Sequence, residues 1–300
     1  MASIGIGRVM ATGRPSLRLA ILTPAPDEPR FAALADRWFE RLAEPLRAEG
    51  VEPAPRSWTE ADDLGDFDAV APLLAWSYHA RAAQWDGLLD RLGRARARTV
   101  NPLDTLAWNT RKTYLGGLEQ AGAPVIPTLF ADRLDAGLID QAHGRFGAEL
   151  VAKPQISGGS FETVRLSAGR PAPTLPRGPA MVQPFMPSVS GEGELSLVYF
   201  DRCFSHAVAK IAKADDFRVQ YQHGGLTSAL HPPPEAFVAA ERVLAATSRT
   251  LIYARIDLIR DPDGRLRLME LEAIEPDLFL EHAPDGGAAF ARATRRALAD

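Results

Sequence analysis

The chain has 300 residues, 46% of them hydrophobic and 24% charged, enough to bury a sizeable core in two or three packed units. A net charge of −4 and an isoelectric point near 5.9 exclude a global basic field for nucleic acid. No run approaches the roughly 18 apolar residues of a membrane helix, and the single cysteine, Cys203, excludes an intramolecular disulfide.

Residues 1–16 carry Arg8 and Arg14 but no apolar core of signal-peptide length, and read as a loose tail. Gly5-Ile6-Gly7 within them lacks a third glycine and precedes the first strand, so it is no dinucleotide fingerprint. Residues 17–22 form the first predicted strand, ending at Thr23-Pro24. Phe31, Leu34, Trp38 and Leu42 then recur at helical spacing until Pro45 weakens the pattern and Gly50 closes it. Residues 67–74 read as a second apolar strand, and Trp85, Leu88, Leu89 and Leu92 as a second amphipathic helix. This alternation predicts a parallel sheet covered by helices through Pro102. Ligands of such sheets bind beyond the carboxyl ends of strands, where Trp76-Ser77-Tyr78-His79 lies.

After the boundary at Asn101-Pro102, a helix is expected from Asn109 or Thr110 to Gly122, then a strand at 124–130, a helix at 136–146 and a strand at 149–153. A further strand over 161–166 and a Pro-rich connection over 171–179 lead to strands at 181–185, 194–200 and 203–210. A helix at 235–249, a hairpin and a closing helix at 285–298 complete the chain. Cys203 lies in the apolar run 199–209 and is expected to be a buried structural thiol. A cytoplasmic location is the default for so few cysteines.

Residues 251–281 hold the densest chemistry. Asp261-Pro262-Asp263-Gly264 is a turn between two strand-like runs. With Arg260 opposite Arg265, Asp257 would face Leu268 and Arg255 would face Glu270. Period-two alternation places Arg255, Asp257, Glu270 and Glu272 on one face and Ala254, Ile256, Leu258, Met269 and Leu271 on the other. The charged face is either an ordinary solvated surface or, because the apolar run 273–280 covers its end, a set of oxygen ligands for a hard ion such as Mg²⁺. Upstream, Lys153 ends a strand and enters Pro154-Gln155-Ile156-Ser157-Gly158-Gly159-Ser160. That loop is either a flexible hairpin with a surface lysine or a cradle of N–H groups and an ammonium around a polyphosphate, though not a P-loop. Val182-Gln183-Pro184-Phe185-Met186-Pro187 is a strand end meeting a polar loop, either a plain linker or a crossing that offers backbone groups to a flat heterocycle.

The fixed order of these landmarks resembles the ATP-grasp superfamily: Asn101-Pro102 before the Lys112 helix, the strand-Lys153-Pro with its Gly-rich loop, the Gln183–Met186 crossing, Asp257, and Glu270-x-Glu272. Within it the chain is similar to the glutathione synthetase and ribosomal-protein-modifying ligase group. The narrower likeness, to bacterial enzymes of the ATP-dependent D-cycloserine-forming cyclase type, is carried by residues 193–198, by Phe204-Ser205-His206-Ala207, by Asp216-Phe217-Arg218-Val219-Gln220 with His223-Gly224-Gly225, and by Met269-Glu270-Leu271-Glu272. The resemblance implies an α/β (α+β) ATP-grasp fold. Its parts would be a tail over 1–16, a parallel-sheet pre-ATP-grasp substrate domain over 17–105, a small lid subdomain over 106–186 and a metal-binding subdomain over 187–300, the last two clasping ATP.

Carried over by position, the resemblance implies that Lys112 and Lys153 contact the α and β phosphates under a lid of Ser157, Gly158, Gly159 and Ser160. Gln183, Phe185 and Met186 would line the adenine and Glu194 would take the ribose. Asp257, Glu270 and Glu272 would hold two Mg²⁺ ions, with Mn²⁺ as a substitute. Arg218 and Arg255, assisted by Lys210, would stabilise the transferred phosphoryl group. Glu272 departs from the usual Asn of the superfamily, and Arg111 beside Lys112 leaves open which of the two points inward.

The implied activity is an ADP-forming ligase or cyclase that activates a small carboxylate as an acyl phosphate for a nitrogen nucleophile. Modification of a protein or peptide terminus and a non-catalytic ATP-binding regulatory module are the alternatives. Substrate-pocket candidates are Trp76, Ser77, Tyr78, His79, His206 and His223. The expected partners are ATP and the small substrates, with no nucleic acid or membrane, in a homodimer as related enzymes often form. On sequence alone, Asp257→Asn should abolish turnover while leaving the fold intact.

Overall fold

The computed structural model describes residues 17–211 and 225–299. The first unit is a three-stranded parallel sheet of β1 (Leu17–Thr23), β2 (Val51–Ser57) and β3 (Ala69–Ala71) in the order β2-β1-β3. Helices α1 (Pro29–Ala48) and α2 (Ala82–Arg94) belong to it. The parallel sheet agrees with the alternation expected from sequence, with three differences. β2 was not expected, because Val51-Glu52-Pro53-Ala54-Pro55 contains two prolines; it is an edge strand, where alternate missing N–H groups fall on the unpaired side. α1 runs through Pro45 to Ala48, since Leu42, Ala43 and Leu46 are buried and hold the last turn. The strand expected over 67–74 is regular only over β3.

The second unit is an antiparallel sheet in the order β4-β7-β5-β6, formed by β4 (Leu129–Ala131), β5 (Glu149–Pro154), β6 (Val164–Ser167) and β7 (Ala180–Pro184), with α5 (Ala136–Phe146) beside it. The expected strand over 124–130 shrinks to β4 plus a single bridge between Val125 and Leu268. The third is a five-stranded antiparallel sheet, β10-β9-β8-β11-β12. Its strands are β8 (Glu194–Phe200), β9 (Cys203–Ile211), β10 (Leu226–Leu230), β11 (Tyr253–Arg260) and β12 (Leu266–Glu272). One face packs Leu195, Leu197, Ile256 and Leu268 with α4 (Tyr114–Gln120) and α6 (Pro234–Ala246). The other places Val198, Phe200, Val208 and Tyr253 against α1 and α7 (Ala288–Ala299), joining the third unit to the first through one core.

Asn101 explains the boundary at 101–102. It is fully buried, its amide donates to the carbonyls of Tyr253 (2.9 Å) and Ala273 (2.8 Å), and its oxygen accepts from the Ile252 N–H (2.6 Å). A side chain so fully satisfied welds the first unit to the hairpin of the third. The helix expected from Asn109 to Gly122 is instead two, α3 (Leu103–Thr110) and α4, broken at Arg111-Lys112-Thr113. The freed Lys112 N–H donates to the Gln155 carbonyl at 2.7 Å, so the break ties this lysine to the loop after β5.

Cys203 is exposed rather than buried, because it sits directly after the tight Asp201-Arg202 turn between β8 and β9, both of whose residues have positive φ. Gly193 is demanded by close approach: at φ +75° a Cβ there would lie 2.1 Å from the Lys210 carbonyl oxygen. No described helix is long and apolar enough to cross a membrane.

Candidate active site

The hairpin β11–β12 pairs Arg255 with Glu272 and Asp257 with Glu270, two residues off the register expected from sequence. The turn takes five residues rather than four, Asp261 accepting from the Asp263 and Arg265 N–H groups, and a bulge between Asp257 and Leu258 shifts the register again. The four charged residues still share one face. Met269 does not keep to the core: the bulge sends Leu268 and Leu271 inward together, while Met269 and Glu270 both line the cleft.

Neighbouring strands extend this face. Glu194 lies opposite Lys210, and Asp257 lies opposite Ser196. Arg255 grips Asp257 with two bonds of 2.9 Å and also reaches Glu272. Lys210 Nζ bridges Asp257 (2.9 Å) and Glu194 (2.7 Å), and the Ser196 hydroxyl donates to Asp257 at 2.6 Å. Asp257 is therefore saturated. Burial pushes its carboxyl up, but the charges of Arg255 and Lys210 win and hold it well below the usual range. Burial would lower the Lys210 ammonium, and Asp257 and Glu194 reverse that and raise it.

The other wall comes from the second unit. Lys112 points inward, donating to the Ser157 carbonyl (2.7 Å) and to Glu270 (2.5 Å), whereas Arg111 pairs with Asp86 at the surface. Lys153 at the end of β5 is buried, lines the same cleft and has no ion-pair partner among the described residues; burial lowers its ammonium. The loop between these lysines turns through left-handed Gly159, Ser160 and Glu162, with Ser157 Oγ donating to the Phe161 carbonyl. Gln183 is held by Thr128 at 2.9 Å, Arg165 stacks on Phe185 at 3.9 Å, and Met186 packs with Ile126, Val189, Ile259 and Met269 in an apolar slot.

These walls enclose a cleft of about 660 Å³. It takes in Trp76, Ser77, Tyr78 and His79 as expected, but not His206, which is spent on the Leu278 carbonyl and Ser205. Arg218 and His223 lie outside the described residues. Not expected from sequence were Arg30, Arg37, Trp38 and Arg41 on one side of α1, together with Glu275, Asp277 and Glu281 after β12. The helical spacing of Phe31, Leu34, Trp38 and Leu42 was legible, but the arginines at 30, 37 and 41 were not singled out; which part of α1 lines the cleft depends on the third unit.

A family model described as D-cycloserine synthetase DcsG, N-terminal domain, matches residues 19–101. The cycloserine biosynthesis protein DcsG of Streptomyces lavendulae is 29% identical over 272 residues, covering 84% of this chain and 91% of that protein. The crystal structure of D-cycloserine synthetase DcsG superposes with a TM-score of 0.80 at 26% identity, over 94% of this chain and 99% of that one. D-alanine–D-alanine ligase of Bacillus anthracis gives 0.66 at 14% identity over 94% and 97%. The ATP-grasp ligase PsnB, complexed with a phosphomimetic variant of its minimal precursor, Mg and ADP, gives 0.59 at 18% identity over 95% and 100%. The chain is similar to DcsG over most of its length and has the fold of the ATP-grasp ligases. It is an enzyme of the ATP-grasp ligase type; among structures of that fold, PsnB is complexed with Mg and ADP and the Bacillus anthracis ligase with ATP.

The ATP-grasp cleft suits a divalent ion in its donor chemistry. Glu270 and Glu272 offer carboxylate oxygens into the cleft with 25% and 22% of their side chains exposed. Burial, added to the charges of Glu270, Asp257 and Glu275, drives the Glu272 carboxyl well above its usual range despite Arg255. Crowded carboxylates of this kind are relieved by a hard cation. The oxygens of Asp257 are taken by Arg255, Lys210 and Ser196, and no three such ligands converge among the described residues.

Asp277 gives a pH test. Burial raises its carboxyl from 3.8 to about 7, against the Phe279 N–H and Arg255. The folded state then holds this proton more tightly than the unfolded chain, so stability is lost as pH rises from about 4 through 7. Asp277→Asn keeps the acceptor for Phe279 and is expected to raise the melting temperature at pH 8 while leaving it nearly unchanged at pH 4, read by thermal unfolding at both.

Proposed function

We propose that this ATP-grasp enzyme phosphorylates a small-molecule carboxylate and passes the acyl group to a nitrogen nucleophile, releasing ADP and phosphate. The observation that carries this reading is the buried Lys153, with no ion-pair partner among the described residues, lining one cleft with Lys112 and the cation–carboxylate row. A buried amine with no ion pair of its own is suited to an anion that arrives from outside and restores its charge.

In this reading Lys112 and Lys153 take the α and β phosphates under residues 157–160, Gln183, Phe185 and Met186 border the adenine, and Glu194 meets the ribose. Glu270 and Glu272 are the residues that would hold Mg²⁺, with Asp257 joining only if Arg255 loosens. The metal, when bound, neutralises phosphate charge. Arg255, held near Asp257 and Glu272, stabilises the negative charge that spreads over the phosphoryl oxygens as the carboxylate attacks. The 157–160 loop excludes water, without which the acyl phosphate would hydrolyse. The similarity to DcsG proteins favours a small amino acid derivative and an internal nitrogen, that is, a cyclisation.

The test is ADP release with Mg-ATP against a panel of small amino acids and O-substituted serines, with hydroxylamine added to trap the acyl phosphate as a hydroxamate. Acid-dependent ADP with hydroxamate is the expected result. ATP binding with neither product across the panel would transfer the proposal to a peptide substrate or a regulatory module.

A further inference from the structure

Helix α1 forms a wall of the cleft on which none of the proposed ATP-binding residues stands. Arg30, Phe31, Leu34, Arg37, Trp38 and Arg41 all line the cleft, along about 17 Å of helix at 1.5 Å per residue. Trp76, at the carboxyl end of β3, packs beside Phe31 and Trp38, with ring centroids 5.6 and 6.1 Å away. All three rings are only partly buried and line the cleft, so they give it an aromatic floor. Arg41 is neutralised by Glu281 at 2.9 Å, and Arg81, after the same turn, by Asp27 at 2.8 Å. Arg30 and Arg37 are exposed and form no ion pair among the described residues. Two guanidinium groups thus border one apolar surface without carboxylates of their own.

We propose that the acid substrate carries an apolar body the size of an aromatic ring, seated on Phe31, Trp38 and Trp76, and a second anionic group taken by Arg37 with Arg30 beside it. The proposal rests on the acyl phosphate reading above, in which the reacting carboxylate stands by Arg255 on the third unit. Arg30 and Arg37 stand on the first unit, and their charge is left for a further anion on the same molecule. The rings between them match the part of the substrate that joins its two anionic ends.

Both halves of this site follow from ordinary recognition chemistry. A guanidinium fork binds carboxylate oxygens through paired, charge-assisted hydrogen bonds. Arg37 gives up no partner among the described residues to do so, and Arg30 already lies over the Phe31 ring at 4.5 Å, which holds it along the aromatic floor. Partly exposed rings gain when an apolar body displaces water from them. Serine would leave the rings wet and the arginines unpaired. Glutamate answers only the arginines, and a neutral aromatic amino acid answers only the rings.

The experiment uses 4-carboxyphenylalanine, its neutral isostere 4-carbamoylphenylalanine, and glutamate, each as both enantiomers. Calorimetry reads their binding to the enzyme loaded with Mg-ADP, and hydroxamate formation with Mg-ATP reads the chemistry, in wild type, Arg37→Gln and Trp38→Leu. Wild type is expected to bind the carboxy compound about 10-fold more tightly than the carbamoyl compound, the worth of one hydrogen-bonded charge. Arg37→Gln should bring that ratio close to one, and Trp38→Leu should weaken both aromatic acids relative to glutamate. A merely structural role for either residue would weaken all three acids together and leave the ratios alone. Equal binding of the two isosteres by wild type, binding of neither, or a ratio that survives Arg37→Gln overturns the proposal. Hydroxamate from glutamate or serine alongside any of those results spares the acyl phosphate reading. The expected binding ratios without hydroxamate from any acid overturn that reading and leave the substrate class standing.

Discussion

Lys153→Met is expected to weaken ATP binding by about 30- to 100-fold, the worth of one charge-assisted hydrogen bond to phosphate, about 2–3 kcal/mol. Methionine keeps the volume and removes only the ammonium. In the free protein that ammonium costs stability: burial lowers it and Lys112 adds repulsion, only partly offset by the charges of Glu270 and Glu194, and it has no ion pair among the described residues. The variant should therefore melt no lower than wild type in the absence of nucleotide, and lose the upward shift that ATP gives the wild type. Calorimetry returning wild-type affinity would remove Lys153 from the phosphate site.

Glu270→Gln and Asp257→Asn are both expected to cut turnover by about 10²–10³-fold, a typical loss for one preorganised electrostatic partner, but they should differ sharply in stability. Asp257 is 3% exposed and satisfies Arg255, Lys210 and Ser196 at once. Removing its charge strands two buried cations, at a cost of about 3–5 kcal/mol, a large share of the ~5–15 kcal/mol that holds a typical domain together. Its depressed carboxyl stabilises the fold above pH 3.8 and loses that contribution only as pH falls through the lowered value. The sequence-based expectation of an intact fold in Asp257→Asn is thus replaced by one of marked destabilisation. Glu270, a quarter exposed and among the described residues paired with Lys112 alone, is the sounder probe: activity should fall while the melting temperature moves little. Wild-type kcat in folded Glu270→Gln would exclude it from the phosphate chemistry.

Much of the site could be read because its residue types are unusual for their settings. A lysine ending an apolar strand before paired glycines, and carboxylates alternating along a hairpin, are visible at local spacing, and both line the cleft. β8 and α5 matched their expected bounds because period and caps agree there, Asp135 accepting from the Leu138 N–H. The misses share a cause. β2 has prolines that only an edge position tolerates, β10 has no burial pattern of its own, and the thiol of Cys203 is exposed because a turn adjoins it.

By itself the sequence determined the hairpin face that concentrates charge and the placing of a lysine at the end of a strand, since these follow from side-chain period and from which residues stand next to a turn. Only the tertiary structure decided which partners those charges take. Asp257 belongs to Arg255 and Lys210 because a bulge and three neighbouring strands bring them within 3 Å. His79 and Glu275, about two hundred residues apart, meet at Gly158 because packed sheets close the cleft over them. Contacts of that span are set by how separate units dock, and docking depends on the sum of buried surfaces rather than on any local pattern of residues.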